Sequence, residues 1–378
     1  MKLEATVYNT ILDVDKATWD SLVGKRSCTF SHDFWRLVER SGLNDFDYRH
    51  VLFRDTSGRA VAATSFYSVT TDIAIFAPGG LRNLLSRVRK QYPNFLKLRM
   101  LECGTPVILN SPPFFRTEDV DDATVIDALA VLMRRTARRE GQLLIVIRDF
   151  EPNASDMQPL MAKHGYHWLD GLPNTYLDIV WNTPESYRAA LKSYYRSKLL
   201  KHLRRNEENH IRHELRTDFA ALADTLCEQW RMVHEQADEF QREVLTPTFY
   251  REFSNTMGDR SSALLFYRDD ELVGHALLLM DGDLLRWLYF GRKLAGNDSL
   301  YLYVGNAVIE TAIQLGAKRL EMGLTTYSIK SDLGAQVTPI KMAIRGTWGL
   351  INPFVGLFYP LLNDTPKINN KNVFKTGA

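Results

Sequence analysis

The stretch that decides the fold of this protein runs from residue 263 to 345. It opens with ALLFYRDDELVGHALLLMDGDLLRWLYFGRK (263–293) and passes through LAGNDSLYLYVG (294–305) into NAVIETAIQLG (306–316). It closes with AKRLEMGLTTYSIKSDLGAQVTPIKMAIR (317–345). Three aliphatic and aromatic runs are separated by two tight polar turns, the pattern of consecutive hairpin strands. An apolar helical run ended by Gly316 follows, then a short strand, then a segment carrying Tyr327 and Lys330.

Working outward, the same order occurs once before. VLFRDTSGRAVAA (51–63) matches LLFYRDDELVGHA (264–276): each sets an Arg-Asp turn between two apolar runs. Ahead of the first hairpin lie a strand at 4–11, the helical turn TWDSLVG, and a helix that Ser31 caps and Gly42 ends. Behind it come the strand TTDIAIF, a basic stretch at 81–96 read as a mobile insertion, and the strand KLRMLECGTPVIL. A helix at about 119–140 begins acidic and ends basic, which complements its dipole. QLLIVIRDF (142–150) is apolar without alternation, as in a strand covered on both faces. The helix MQPLMAKHGY and the strand NTYLDIVW close the unit. After Pro184 the series resumes with a basic helix, the strand IRHELRT and the helices around 218–240 and 249–257.

Two passes of β-α-α-β-β-β-α-β-α-β argue for two copies of one fold. The expected class is α/β (α+β): two tandem units, each a mixed, mostly antiparallel sheet flanked by helices. The boundaries read as 1–183 for the first unit, 184–209 for a basic linking helix, 210–363 for the second unit and 364–378 for an extended tail.

Composition bounds the function. Lys+Arg 47 against Asp+Glu 45 leaves a formal +2, which gives no general pull toward nucleic acid. Cys28, Cys103 and Cys227 are far apart and odd in number, so neither a disulfide framework nor a metal site is expected. The polar start MKLEATVYNTILDVD is unlike a signal peptide, and no run of about 20 apolar residues exists to span a bilayer. The expected location is the cytoplasm, with peripheral contact at the inner membrane as an option. That option rests on GTWGLINPFVGLFYPLLN (346–363), apolar and aromatic but broken by Asn352, Pro353 and Pro360. It suits either a membrane interface, through 346–362, or packing on the sheet as a last strand and loop.

The recurring elements Tyr289-Phe290-Gly291, Leu300-Tyr301-Leu302-Tyr303, Gly316, Glu321-Met322-Gly323, and Tyr327 with Lys330, Gly334 and Pro339 carry a family likeness. In this order they resemble the tandem GNAT-fold acyltransferases of the Fem-like and BioF2-like (peptidoglycan biosynthesis/recognition) group. Bacterial ceramide synthases are a related possibility.

The resemblance implies N-acyl transfer from an acyl-CoA, with a long chain, to an amine such as a sphingoid base. Acyl-CoA would be a co-substrate, with no tightly bound cofactor. The thioester arm would lie between splayed strands at 283–290 and 318–322. Tyr289, Gly291, Arg292, Lys293, Gly296, Asn297 and Ser299 would face the donor, its diphosphate set at a helix start. The spacing Q/R-x-x-G-x-G/A of acetyl-CoA loops is absent from RKLAGNDS, which is equally readable as a surface turn.

Glu321 is the candidate base, Tyr327 the acid for the leaving thiolate and Lys330 the oxyanion partner; a structural ion pair and a capping tyrosine are the alternatives. His275 is a second candidate base or a core histidine. Glu102, with Tyr195, Lys198, Tyr301 and Tyr303, would bind the acceptor. The basic helix, with Arg196, Lys201, Arg204 and Arg205, reads as a phosphate clamp, a lipid-headgroup contact or a solvated face. Two rival functions remain open at this stage. One is a Fem-like transferase using aminoacyl-tRNA on a cell-wall precursor. The other is a non-catalytic protein recognising lipid or glycan.

Overall fold

A computed structural model describes residues 2–24, 26–73, 77, 79–236, 243–293, 300–362 and 368–375. The first half contains β1 (Glu4–Tyr8), α1 (Lys16–Val23), α2 (His32–Arg40), β2 (Asp47–Arg54), β3 (Ala60–Asp72), α3 (Gly79–Arg89), β4 (Lys97–Cys103) and β5 (Phe115–Arg116). It continues with α4 (Asp122–Arg139), β6 (Leu144–Phe150), α5 (Met157–Lys163), β7 (His167–Asp170) and β8 (Asn174–Asp178). The second half starts with α6 (Pro184–Ala190), α7 (Ser193–Glu208), β9 (Ile211–Arg216), α8 (Ala223–Gln236), α9 (Pro247–Met257), β10 (Ser261–Arg268) and β11 (Glu271–Asp281). It ends with β12 (Leu284–Arg292), α10 (Leu300–Gln314), β13 (Arg319–Glu321), α11 (Tyr327–Asp332), β14 (Gln336–Thr338), β15 (Lys341–Gly346) and α12 (Asn352–Leu362).

Two mixed sheets form, and their orders correspond strand by strand. The first runs β1-β2-β3-β4-β6-β15-β7 and the second β9-β10-β11-β12-β13-β8-β14. In each, an antiparallel meander is followed by one parallel step, β4 with β6 and β12 with β13. The tandem α/β reading therefore holds, with one correction. NTYLDIVW was expected to close the first sheet, yet β8 lies in the second sheet against β13. In return, β15 from the end of the chain lies in the first sheet against β6. Each half donates its last long strand to the other, an outcome that strand propensity alone cannot signal.

The helices of the two halves also share a core. Trp19, Phe34 and Trp35 from α1 and α2 belong to the same buried cluster as Trp230, Phe249 and Tyr250 from α8 and α9. The outer faces of the sheets are covered by α4 and α5 on one side, and by α10 with the α6–α7 segment on the other.

Four further expectations change. The linking segment is two helices rather than one, because Leu191 is extended (ψ 140) and bridges to Phe374. The stretch expected as a mobile insertion contains the helix α3. The aromatic stretch after β15 forms the helix α12, with Val355 packed against Val146 and Ile344. The tail is not simply extended: Val373 is buried, and the Phe374 ring lies 4.8 Å from Trp181. A Cβ at Gly334 would come within 2.3 Å of that phenyl ring, so the glycine is what lets the tail dock.

The Val373–Phe374 plug packs against the second sheet's core. Replacing both residues by Ala should cost roughly 3–5 kcal/mol, since buried large-to-small changes leave cavities. A urea titration of the double variant checks this; a midpoint equal to that of the unaltered protein would show that the tail is dispensable.

Candidate active site at the junction of the two halves

The first sheet shows how the strands build a site. Along β6, Ile145 and Ile147 face the α4 core. Leu144, Val146 and Arg148 point the other way, as period-two alternation demands. Met100 and Glu102 of β4, with Met342 and Ile344 of β15, share that second face. They line a cavity of about 880 Å³ that α3 and α12 cover. The continuous apolar run QLLIVIRDF is thus covered twice, once by helices and once by this cavity. Its walls are mostly aliphatic; Thr70, Asp72 and Lys97 line it at the start of β4, and a second polar group gathers at the other end, where β6 ends.

That end is a buried charge cluster. Arg148 Nη2 lies 3.0 Å from Asp149 Oδ2. Arg148 Nη1 donates to the Tyr67 hydroxyl (3.2 Å), which donates to Glu102 Oε2 (3.3 Å). Burial pushes the Asp149 carboxyl up to about 6, with Arg148 opposing and Glu102 and Glu321 adding to the rise. Burial likewise raises Glu102, against the pull of Arg148. Asp149 has φ +64, a left-handed conformation uncommon for any residue but glycine.

The second half reaches this end through Asn174, on the donated strand β8. Asn174 lines the cavity and donates to Glu321 Oε1 at 2.7 Å. The other Glu321 oxygen accepts from Arg286 Nη1 at 2.5 Å, and Arg286 also meets Asp281 at 3.1 Å. Burial disfavours the Arg286 charge, but Glu321 and Asp281 outweigh it and hold the guanidinium charged. Arg286 further donates to the carbonyl of Leu109, a cavity residue, so the pair ties the second sheet to the cavity wall.

The expected splay is visible. β12 and β13 pair only from Leu284 with Arg319 to Arg286 with Glu321, and β12 then continues to Arg292 paired with β11 on its other edge. Beyond the last pair, Gly323, Thr325 and Thr326 all have positive φ. A branched threonine at such an angle is strained and needs outside support. Lys330 Nζ donates to the carbonyls of Gly323 (3.1 Å) and Leu324 (2.5 Å), and Tyr301 OH lies 2.8 Å from Thr326 Oγ1. Burial pushes the Lys330 amine down to about 7, with Glu321 resisting.

The other candidates fall into three groups. Glu102 and Tyr289 lie near Arg148, and Glu321 acts on neighbouring Asp149: the Tyr289 hydroxyl donates to half-buried Glu243 (2.7 Å), and both feel the Arg148 charge. Tyr327 and Lys330 flank the strained loop, with Tyr327 OH donating to the carbonyl of Pro173 (2.9 Å). Elsewhere lie Tyr303, 2.9 Å from His213 Nδ1; Lys198, paired with Asp332 at 2.6 Å; and Tyr195, half-buried against the second core.

His275 is fully enclosed, 3.0 Å from both Tyr250 OH and Gln229 Oε1, and burial drops it to about 3. It stands as a satisfied core histidine. A Cβ at Gly291 would lie 2.3 Å from its ring, so the glycine serves this packing. Arg292 ends β12, while Lys293 pairs with Glu271 at the surface. Gly296, Asn297 and Ser299 lie outside the described residues.

Sequence reasoning missed Arg148, Asp149, Asn174, Glu243 and Arg286. The signal for three of them was present: the charges Arg148 and Asp149 ending an apolar strand in LLIVIRDF, and Arg286 inside DLLRWLYF.

A family model described as FemAB-like, peptidoglycan biosynthesis/recognition, matches residues 10–326. The chain belongs to this family. Family and fold class it as a transferase enzyme. A protein of Mycobacterium tuberculosis named as an 8-amino-7-oxononanoate synthase 2 is 28% identical over 322 residues. The match covers 83% of this chain, but the chain spans only 42% of that protein's length. The structure of FemX superposes with TM-score 0.54 at 11% identity, covering 89% of this chain and 96% of FemX. A tandem GNAT protein from the clavulanic acid biosynthesis pathway gives 0.52 at 14% identity, covering 92% and 99%. At such identities these two likenesses speak to the fold.

The Lys330 amine gives a test with a defined sign. The unfolded chain keeps this proton up to about 10.4, the folded chain only up to about 7, so stability should rise with pH across that interval. Denaturant midpoints measured from pH 7 to about 9 should climb in the parent and be flatter in Lys330→Met. Equal slopes would place the amine in contact with water.

Proposed function

We propose that the protein is an N-acyltransferase that joins a long-chain acyl group, delivered as an acyl-CoA thioester, to the amine of a lipid-like acceptor such as a sphingoid base. The observation that carries this reading is the cavity of about 880 Å³, walled by aliphatic side chains and ending on Glu102, Arg148 and Asp149. An apolar chamber with a few convergent polar groups suits an alkyl chain with one reactive head.

The donor would enter along the edge of β12 beyond Arg286, which no described strand pairs, and where a pantetheine arm can add backbone hydrogen bonds. Trp287 stacks on Tyr301 (5.6 Å) beside this edge and forms an apolar wall. In this scheme Glu321 and Lys330 hold the β13 end and the strained loop, and so shape the donor cleft; a direct part for Tyr327 or Lys330 in charge stabilisation remains part of the proposal.

The cavity mouth supports a lipid-facing orientation. Phe354 and Phe358 of α12 line the cavity while being 56% and 50% exposed, and Leu350 beside them is 87% exposed. No charged residue falls between Arg345 and Asp364. Such a face fits the headgroup boundary of a bilayer, from which a lipid acceptor could pass into the chamber. No described helix is long and apolar enough to cross a membrane. The rival tRNA-dependent reading draws on exposed Lys201, Arg204 and Arg205 of α7, and predicts binding that weakens steeply with salt.

Two measurements decide. With palmitoyl-CoA and sphinganine, thiol release should be readily detected, and Ile344→Trp, which fills the chamber, should lower kcat/KM by about 10-fold or more. Absence of thiol release with every acyl-CoA tried, together with salt-sensitive tRNA binding, would favour the rival. Separately, sedimentation with anionic vesicles should fall several-fold in a Phe354→Ser, Phe358→Ser double variant; unchanged sedimentation would remove the membrane-facing role of α12.

A further inference from the structure

The basic stretch at 81–96 is a sequence feature that acyl transfer leaves unused. Between Asp72 and Glu102 the chain has no acidic residue, while Arg82, Arg87, Arg89, Lys90, Lys97 and Arg99 fall within that span. This is a concentrated positive run in a chain whose formal charge is only +2. Part of it is neutralised on the spot: Arg89 pairs with Asp72, and Arg99 with Asp45 at 3.1 Å. Arg87, Lys90 and Lys97 are exposed and enter no ion pair among the described residues.

The segment is a small built unit. α3 turns Leu81 and Leu85 inward, where they meet Ala77 and Leu96. Leu81 and Leu96 also line the chamber. After α3 the chain makes a tight turn, Tyr92-Pro93-Asn94-Phe95, closed by Phe95 N donating to the Tyr92 carbonyl (2.9 Å). Arg89 braces the turn: its Nε donates to the Phe95 carbonyl (3.0 Å) while its guanidinium pairs with Asp72. The brace holds two aromatic rings out in water, Tyr92 at 65% exposure and Phe95 at 42%, with Leu84 of α3 at 56%. Leu84 and Arg87 are three apart and share a helix face. Exposed apolar side chains set among cations in this way mark a contact surface. The chamber's other cover, α12, exposes Phe354, Leu357 and Phe358 and has no charged residue. A nucleic acid would suit the cations and rings but gains nothing from an uncharged apolar neighbour. A bilayer carrying anionic headgroups suits both covers.

We propose that α3 and the Tyr92–Phe95 turn form an anchor for anionic membranes. Arg87, Lys90 and Lys97 meet the phosphates of anionic lipid headgroups. Leu84, Tyr92 and Phe95 enter the headgroup boundary, and α12 supplies the uncharged half of the same contact. This rests on the lipid-facing reading of α12 given above and adds the class of lipid surface that is recognised. Charge draws the protein in over about a Debye length, roughly 8–10 Å at moderate salt. Apolar contact then holds it there, with the chamber that both elements cover set against the lipid.

Sedimentation with vesicles of phosphatidylcholine alone, or with about one third phosphatidylglycerol, tests this. The parent should bind the anionic vesicles about 10-fold or more tightly than the neutral ones. Raising salt from about 0.05 to about 0.5 M should remove most of that difference. Arg87→Gln with Lys90→Gln should lower affinity for anionic vesicles by about 10-fold and leave neutral vesicles unaffected. The charge-conserving pair Arg87→Lys with Lys90→Arg should bind as the parent does. Tyr92→Ser with Phe95→Ser should weaken binding to both kinds several-fold. Equal binding of the parent to both vesicles would overturn the proposal, as would undiminished anionic binding by the glutamine variant. Loss of tRNA binding in the glutamine variant, with vesicle binding intact, would assign the surface to nucleic acid instead. Self-association that the serine variant abolishes, with vesicle binding intact, would assign it to a second copy of the chain. The two membrane contacts fail separately. If Phe354→Ser with Phe358→Ser binds anionic vesicles like the parent while the glutamine variant does not, the α12 reading fails and the anchor stands. If the reverse holds, the anchor fails and the α12 reading stands.

Discussion

The reciprocal donation of β8 and β15 is the constraint on which the rest of the structure depends. Each sheet is completed only by a strand from the other half of the chain. β8 must reach β13 before the second sheet has its full antiparallel partner, and β15 must return to β6 before the first is whole. Pairing of this kind joins residues far apart in sequence, and its hydrogen bonds form only after long loops have closed. The two halves are therefore copies in design but a single unit in folding, reinforced by the core that α1 and α2 share with α8 and α9.

The exchange also builds the site. β15 brings Met342 and Ile344 to the wall of the cavity, and β8 brings Asn174 to its polar end. Through Asn174 the cavity is linked to Glu321 and Arg286, and through Arg286 back to the Leu109 carbonyl and Asp281. A buried ion pair of this kind contributes little net stability, because desolvation offsets most of the attraction. Its value lies in geometry: it fixes where β12 stops pairing and where the chain of the first half must lie. Cys28 N donates to the same Asp281 (2.7 Å), so the network also anchors the start of the first helical layer.

The two copies have diverged along a clear physical line. The first half has an open chamber on one face of its sheet and charges at the parallel step. The second has the corresponding face packed by α8 and α9, and beyond Arg286 no described strand pairs the outer edge of β12. One copy offers volume and the other offers a backbone edge. Asn174 and Leu324 of the second sheet's strands and loop line the chamber of the first, so the two features adjoin.

Much of this was legible in the sequence, and the division follows from range. Element type and order depend on local periodicity, so the two hairpins, the Ser31 cap, the doubly covered run LLIVIRDF and the tandem repeat could be read directly. Glu102, Tyr289 and Glu321 could be singled out as strand-end polar groups; of these Glu102 lines the cavity, and Glu321 is tied to it through Asn174. Sequence could not say which sheet a strand joins, because β8 and β15 suit either by propensity, and only the packed neighbours decide. Nor could it show that Lys330, His275 and Gly291 serve the local packing seen here, since burial and partners depend on chain segments far away. The Asp149 backbone angle lay furthest from view. It arises from a one-residue slip between β6 and a strand nearly two hundred residues later, and only the folded chain brings those two together.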